Sequence, residues 1–220
     1  ARSAAHEAQD FELVTFALGS MSQLAAWEGR TATGIDHAIA AQSWSARTGD
    51  PRAHADAATR AASAFAADRQ DNACRKALDT AQAAAVRIGS DSGDPRWEYF
   101  FKDESVIWGA MGECDLLLGE PDRALGAASK YLMTVDPSDV HEYSFNSLFR
   151  AGAFVRKGEI AEASRVIGEV AARTASYTSA RIDQRIVELR SALSPWQGSK
   201  PVRELDEALA EDARAQRDDH

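Results

Sequence analysis

Apolar residues recur at helical spacing along most of the chain, and glycine or proline interrupts the pattern at intervals. Residues 105–135 show this most clearly, because apolar side chains three or four positions apart predict a helix with one buried face. Gly119 then ends that helix, since glycine adopts the left-handed cap conformation at little cost. Pro121 suits the first turn of a second helix, so the stretch predicts a helical hairpin. The apolar positions of the two helices are Ile107, Ala110, Met111, Cys114, Leu118, Ala124, Leu125, Ala128, Leu132 and Val135.

The same alternation of apolar helix, turn and apolar helix extends over residues 1–210. It predicts an all-α fold, an α-solenoid of about five antiparallel helix hairpins stacked with a right-handed superhelical twist. The hairpins are expected at residues 10–48, 52–88, 96–135, 137–174 and 178–210. The charged residues 211–220 are expected to form a solvated tail.

The third hairpin carries a recognisable pattern of aromatic and small residues. Trp108, Met111, Gly112, Gly119 and Ala124 fall where the tetratricopeptide repeat has Trp, Leu, Gly, a turn glycine and a packing alanine. The stretch therefore resembles a tetratricopeptide repeat. Gly112 and Ala124 would let paired helices approach closely, and Trp108 is expected to be largely buried between this hairpin and a neighbour.

Small residues recur at the position where each second helix would cross the first. Gly34, Ala73, Ala124 and Ala163 occupy it, and the gaps between them are 39, 51 and 39 residues. The standard tetratricopeptide repeat has roughly 34 residues. Longer helices are therefore expected, with the gap of 51 absorbing the Gly- and Ser-rich linker 89–95.

Charge and hydropathy exclude several classes of protein. The 220-residue chain has a net charge of −9, whereas a nucleic-acid-binding surface needs a clustered basic face, so no direct nucleic-acid contact is expected. No apolar run approaches the roughly 20 residues of a membrane helix, and no signal peptide is recognisable. Cys74 and Cys114 lie within apolar helical patterns, which favours buried thiols over a disulfide framework. Thiols that stay reduced indicate a cytoplasmic location.

Motifs of known catalytic and metal sites are missing. The chain has no phosphate-binding loop, and Asp91 stands where a nucleophile elbow would need serine. His141 lacks a second histidine four residues on, and His6, His37 and His54 are scattered. We therefore expect no enzymatic activity, no cofactor and no metal.

An aromatic cluster follows the linker. Trp97, Tyr99, Phe100 and Phe101 lie within five residues, and on a helix such a run wraps around the cylinder. They cannot all face one core. At least one is expected to pack on the second hairpin, and at least one to line a groove or contact another chain.

The inner helices of an α-solenoid surround a concave groove that suits a peptide or a small molecule. The aromatic cluster and Glu104 are expected at the floor or lip of this groove. The other residues that the repeat pattern places on the inner face are Phe16, Gln23, Trp27, Thr59, Glu113, Phe145, Phe149 and Arg156.

A more specific resemblance begins with Asp-Pro-Arg-Trp-Glu-Tyr-Phe-Phe-Lys-Asp-Glu at 94–104 and Gly-Glu-Cys-Asp-Leu-Leu-Leu-Gly-Glu-Pro-Asp-Arg-Ala at 112–124. It continues through the Gly158–Glu159 turn to residues 201–209. These segments resemble the C-terminal repeat region of actinobacterial transcription regulators, in which a phage-repressor-like helix-turn-helix domain precedes tetratricopeptide repeats. No DNA-binding domain of this kind is expected within residues 1–220.

The resemblance implies a sensing and protein-interaction module of a regulator. Its partner would be a protein, a peptide or a small-molecule effector, and no membrane partner is expected. A homodimer is compatible with the sequence. The alternative, from a different class, is a tetratricopeptide scaffold that docks partner proteins and has no ligand switch.

Overall fold

The structure, a computed structural model, describes residues 10–88, 101 and 103–218, with side chains as far as residue 211. In these ranges the backbone forms α-helices, one short 3-10 helix at Ser194–Trp196 and no β-strand. The all-α prediction is therefore confirmed. The α-helices are α1 Phe11–Trp27, α2 Thr31–Thr48, α3 Pro51–Ala67, α4 Asp71–Ala85, α5 Ser105–Leu118, α6 Pro121–Leu132, α7 Val140–Lys157, α8 Ile160–Thr174, α9 Ala180–Ala192 and α10 Lys200–Asp218.

The chain divides into two compact units, Ala1–Leu118 (unit 1) and Gly119–His220 (unit 2). In unit 1, α3 packs against α1, α2, α4 and α5, while α1 also packs on α2 and α4 on α5. In unit 2, α7 packs against α6, α8 and α9, while α8 also packs on α9 and α10. Within each unit the helices thus pack neighbour to neighbour, as in a helical repeat. None of the described helices combines the length and apolar character needed to cross a membrane.

Five turns share one backbone feature. A residue with positive φ stands two positions before the following helix: Gly29 before α2, Gly49 before α3, Arg69 before α4, Gly119 before α6 and Gly158 before α8. The φ of Gly119 is +91°, which confirms the left-handed cap expected there. Arg69 adopts φ +60° although its Cβ makes this conformation unfavourable.

The core of unit 1 is built around α3, which is buried on nearly every side. Phe101 and the free thiols of Cys74 and Cys114 pack into the same core. The hydrogen bond with Cys74, together with burial, raises the pKa of Cys114 and keeps this thiol protonated. The completely buried alanines of α3 are Ala53, Ala55, Ala57, Ala58, Ala61, Ala62, Ala64 and Ala66.

The first helix of the predicted third hairpin turns a different residue inward from the one expected. Ile107 is completely buried in the unit 1 core, whereas Trp108 is only partly buried. Successive residues on a helix point about 100° apart, so the two side chains occupy different faces of α5. Ile107, rather than Trp108, occupies the core position.

The end of the chain differs from the predicted fifth hairpin. The apolar face of α10 packs chiefly on α8 rather than on α9, and Leu205 Cδ1 lies 3.7 Å from the position that a Cβ on Gly168 would take. The 3-10 helix lengthens the connection, and α9 and α10 are instead linked by the Arg190–Asp206 ion pair. The last helix continues to Asp218, so residues 211–218 of the expected tail are helical.

The small residues expected at helix crossings differ in burial. Ala124 and Ala163 are completely buried, and Ala73 is half-buried. At Gly34 on α2, a Cβ would lie 3.0 Å from the carbonyl oxygen of Ser22 and 3.3 Å from the amide nitrogen of Ala26. Both are backbone atoms of α1, so they cannot swing aside as a side chain could.

We expect Gly34→Ala to destabilise the protein and Gly126→Ala to stabilise it. In an open helix position, replacing glycine by alanine gains about 0.5–1 kcal/mol, and nothing lies within 4 Å of a Cβ at Gly126. At Gly34, overpacking against α1 costs about 1–3 kcal/mol and outweighs that gain. Urea denaturation measures both changes. Equal stabilisation by the two variants would show that α1 and α2 do not approach as closely as described.

Candidate functional site

In unit 1, Arg60 on α3 brings two of the predicted groove residues together. Its Nε donates a hydrogen bond to Asp56 Oδ2 at 2.8 Å, and its Nη1 donates one to Gln23 Oε1 at 3.1 Å. The guanidinium carbon lies 5.6 Å from the centroid of the Phe16 ring. Phe16 and Gln23 of α1 therefore meet around a cation that the sequence analysis did not single out.

Glycine at position 19 makes this arrangement possible. A Cβ on Gly19 would lie 2.5 Å from Cδ of Arg60, so a larger residue would displace the arginine. The side chain of Asp56 is only 6% exposed and that of Arg60 only 17%. The two form a largely desolvated ion pair along α3, on the side that Gly19 of α1 approaches.

The polar contacts continue from α3 to α5. Ser63 Oγ donates a hydrogen bond to Glu113 Oε2 at 2.9 Å. We call Gln23, Arg60, Ser63 and Glu113 the unit 1 polar row, since they connect α1, α3 and α5, the first helices of the three predicted hairpins. Thr59 does not extend it, because its side chain is buried and its hydroxyl donates to the carbonyl of Ala55 at 2.8 Å.

The remaining unit 1 candidates are dispersed. Trp27 is 40% exposed at the end of α1, and Glu104 is exposed before α5. Phe101 is completely buried in the core, so its assignment to a groove is wrong. Phe101 shares a core cluster with residues of α3 and α4, so this member of the aromatic run packs on the second predicted hairpin. Trp97, Tyr99 and Phe100 lie outside the described residues.

In unit 2, Phe145 is the centre of an aromatic cluster on α7 and α9. Its ring stacks on His141 with centroids 6.0 Å apart and meets Phe149 edge-on at 5.0 Å. The guanidinium carbon of Arg181 lies 4.3 Å from the Phe145 centroid, within cation–π range. Tyr177 is 40% exposed, and its ring centroid lies 6.3 Å from that of His141. We call these five residues the Phe145 cluster.

Only part of this cluster faces outward. Phe149 is 6% exposed and belongs to the packed interior, whereas Phe145 is half-buried. Arg156 is exposed two turns beyond Phe149 on α7. The structure thus keeps Phe145 as a surface candidate and makes Phe149 a supporting residue.

A cavity of about 450 Å³ lies at the N-terminal end of α3. Ser45 Oγ donates a hydrogen bond to the carbonyl of Gln42 at 2.8 Å and also lies 3.1 Å from Nδ1 of His54. Desolvation by burial, followed by the charge of Arg87, lowers the pKa of His54 and favours its neutral form. The lining residues are Ser45, Ala46, Gly49, Asp50, Pro51, His54 and Arg87.

Two other lining residues of this cavity bond to backbone groups. Ser45 donates a hydrogen bond to the carbonyl of Gln42. Asp50 accepts a hydrogen bond from the backbone N–H of Arg52 at 2.7 Å and thereby caps α3. A second cavity, of about 510 Å³, lies between α7 and α8. Neither cavity is lined by a predicted groove residue.

Comparisons with known proteins give no relative: no family model matches the chain, and no curated protein matches it. Over the described part of the chain, no three His, Cys, Asp or Glu side chains come together as a metal site would require. The functional assignment therefore rests on the contacts of the chain itself.

We expect Arg60→Met to lower the free energy of unfolding by about 3 kcal/mol, because it leaves the Asp56 carboxylate desolvated without its ion pair. Arg165→Met is the control, since Arg165 forms exposed ion pairs that contribute at most about 1 kcal/mol. Chemical denaturation measures both. The Asp56→Ala/Arg60→Met double variant should lose less than the sum of the single losses. Similar losses for Arg60→Met and Arg165→Met would reduce the Arg60 pair to an ordinary surface contact.

We expect stability to fall as the pH drops below the ordinary histidine pKa of 6.5. The folded pKa of His54 is lower than its unfolded value, so the contribution of His54 is complete above pH 6.5 and is lost on acidification through the folded pKa. His54→Gln should remove this part of the pH dependence. Nuclear magnetic resonance (NMR) titration of the imidazole checks the cause, and a midpoint at or above 6.5 would contradict it.

Proposed function

We propose that this chain is the sensing and protein-interaction module of a transcription regulator. In this proposal it is a tetratricopeptide-like array with a right-handed twist, located in the cytoplasm. It binds a peptide or a small-molecule effector on the face formed by α7 and α9, the first helices of the two hairpins predicted in unit 2. The observation that carries the proposal is the Phe145 cluster, which joins aromatic rings and a cation on α7 and α9.

The composition of the cluster supports a binding role. Aromatic and arginine side chains are the most frequent anchors in interfaces, where a few residues supply most of the affinity. Phe145 is half-buried and Tyr177 is 40% exposed, so both combine a fixed position with accessible apolar surface. Contact with Phe149 and Arg181 orients the Phe145 ring before any partner arrives.

Signalling would proceed by a shift of population. Each helix pair of a repeat array contacts only its neighbours, so a ligand bridging α7 and α9 would favour one arrangement of these helices. A domain attached to the array would sense that arrangement. The chain itself would contact no nucleic acid, since its net charge of −9 supplies little counterion release on phosphate binding.

The scaffold alternative also has an observation in its favour. In the unit 1 polar row, Arg60 bonds to Gln23, and Ser63 bonds to Glu113. A polar face of this kind suits the docking of an extended partner better than the enclosure of a small effector. A scaffold would bind its partner without a change in the arrangement of the helices, whereas a sensor would change it.

A binding screen with matched variants tests the site. Wild-type protein is screened against a displayed peptide library and a metabolite collection, and each hit is measured with Phe145→Ala and Arg181→Gln. We expect affinity to fall at least about tenfold, because anchors lose roughly 2 kcal/mol or more on truncation. Phe149→Ala is unsuitable, since Phe149 is buried and its truncation would disturb the core.

The control is Val187→Ala, which trims a residue that is 67% exposed on α9. Circular dichroism should be the same for all variants. Hits that bind the Phe145 and Arg181 variants as tightly as wild type would move the site elsewhere. Hydrogen exchange of α7 and α9 with and without the hit then separates a sensor from a scaffold.

The regulator part of the proposal has its own test. The residues encoded upstream of Ala1 should include a helix-turn-helix domain. An upstream enzyme domain or membrane helix would count against a transcription regulator and leave the binding face to be judged separately.

A further inference from the structure

The cavity between α7 and α8 is large enough to hold a small ligand. Its volume of about 510 Å³ lies within the range of small-molecule sites, roughly 300–1,000 Å³. Val166 and Val170 of α8, 3% and 2% exposed, give it an apolar wall. The residues that line it are Tyr143, Ser147, Arg150, Val166, Glu169, Val170, Ala172 and Arg173.

The polar lining is cationic, although the chain as a whole is acidic. Arg150 and Arg173 both line the cavity. Glu169, the acidic residue of the lining, has a carboxylate oxygen 2.6 Å from Nη1 of Arg165. Arg165 also pairs with Glu162, so it does not neutralise Glu169 by itself. Two arginines against one glutamate nevertheless leave the cavity lining with one net positive charge.

Both arginines are arranged for an anion. Nε of Arg150 is shielded from solvent and has no hydrogen-bond partner in the described structure, which is costly for a charged group. The guanidinium of Arg173 is held in place by two contacts. Its Nη1 donates a hydrogen bond to the carbonyl of Pro137 at 2.8 Å, and its carbon lies 4.4 Å from the centroid of the Tyr143 ring. A negative charge in the cavity would offset the free-energy cost of desolvating Arg150. It would also lie beside the guanidinium of Arg173, which is already held in place.

We infer that this cavity binds a small organic anion, with a carboxylate or phosphate head between Arg150 and Arg173 and an apolar body against Val166 and Val170. The site does not depend on the proposed binding face. Tyr143, Ser147 and Arg150 recur at four- and three-residue spacing on one side of α7, and the Phe145 cluster occupies another. Loss of either site would leave the other intact.

The test uses three probes of equal chain length: hexanoate, hexyl phosphate and hexanol. NMR of the arginine Nε–H groups reports binding directly, and thermal unfolding reports the stabilisation that a ligand confers. We expect hexanoate or hexyl phosphate at millimolar concentration to shift the Nε–H signals of Arg150 and Arg173 and to raise Tm. Hexanol should do neither, and the stronger of the two anions identifies the head group.

The variants are Arg150→Met, Arg173→Gln and the control Arg203→Gln, which removes an exposed arginine on α10. Arg150→Met and Arg173→Gln should each weaken anion binding about tenfold or more, as expected for the loss of a charged hydrogen-bond donor. Arg203→Gln should bind as wild type does. Without ligand, Arg150→Met should unfold at the wild-type temperature or above it, because it removes an unsatisfied buried donor.

Three results would overturn the inference. Equal effects of hexanol and the anions would reduce the cavity to an apolar gap. Unchanged anion binding in Arg150→Met and Arg173→Gln would place the anion elsewhere. A lower Tm for ligand-free Arg150→Met, with full binding by Arg173→Gln, would make Arg150 a structural residue.

Discussion

Close packing of four helices around α3 is the constraint on which unit 1 depends. Alanine is the side chain that satisfies it, because a helix whose surface is mostly methyl groups can be approached from every side. The same constraint explains Gly19 on α1, where a Cβ would meet Arg60 of α3. Gly34 reflects a separate close approach, between α2 and the backbone of α1. The packing around α3 also explains why Asp56 and Arg60 can be desolvated together, since the helices leave little room for water between them. A larger residue on α3 would move several helices at once, and overpacking costs about 1–3 kcal/mol.

Most of the fold could be predicted because its determinants are local. Helical spacing and turn glycines lie within a few residues of the elements they specify, so the helix bounds from α1 to α8 agree closely with the sequence pattern. The turn at Arg69 shows the limit, since no glycine announces its left-handed conformation. The packing of α10 on α8 shows a second limit: periodicity identifies the apolar face of a helix but not the helix that covers it.

The candidate-site residues show the same difference between local and long-range determinants. Phe16, Gln23 and Phe145 were found from the repeat pattern, because helical spacing alone places them on the first-helix face. Arg60, Arg150 and Arg181 were missed, because an isolated arginine in a helix reads as a solvated residue. Their roles come from contacts distant in sequence, such as that between Arg60 and Gln23, 37 positions apart. The opposite holds for Phe101. A run of aromatic residues suggested a groove, whereas Phe101 is buried in the alanine-rich core.

Arg69 affects how unit 1 unfolds. At the turns held by glycine the chain adopts the left-handed conformation at little local cost, but at Arg69 the turn is strained and the side chain donates a hydrogen bond to the carbonyl of Leu117, at the end of α5. The turn at Arg69 therefore lowers the stability of the α3–α4 pair itself and adds a contact between that pair and α5. In a linear array, the stability of each pair relative to its contact with the next determines how many pairs unfold together. Because Arg69 joins the α3–α4 turn to the end of α5, we expect these three helices to unfold together.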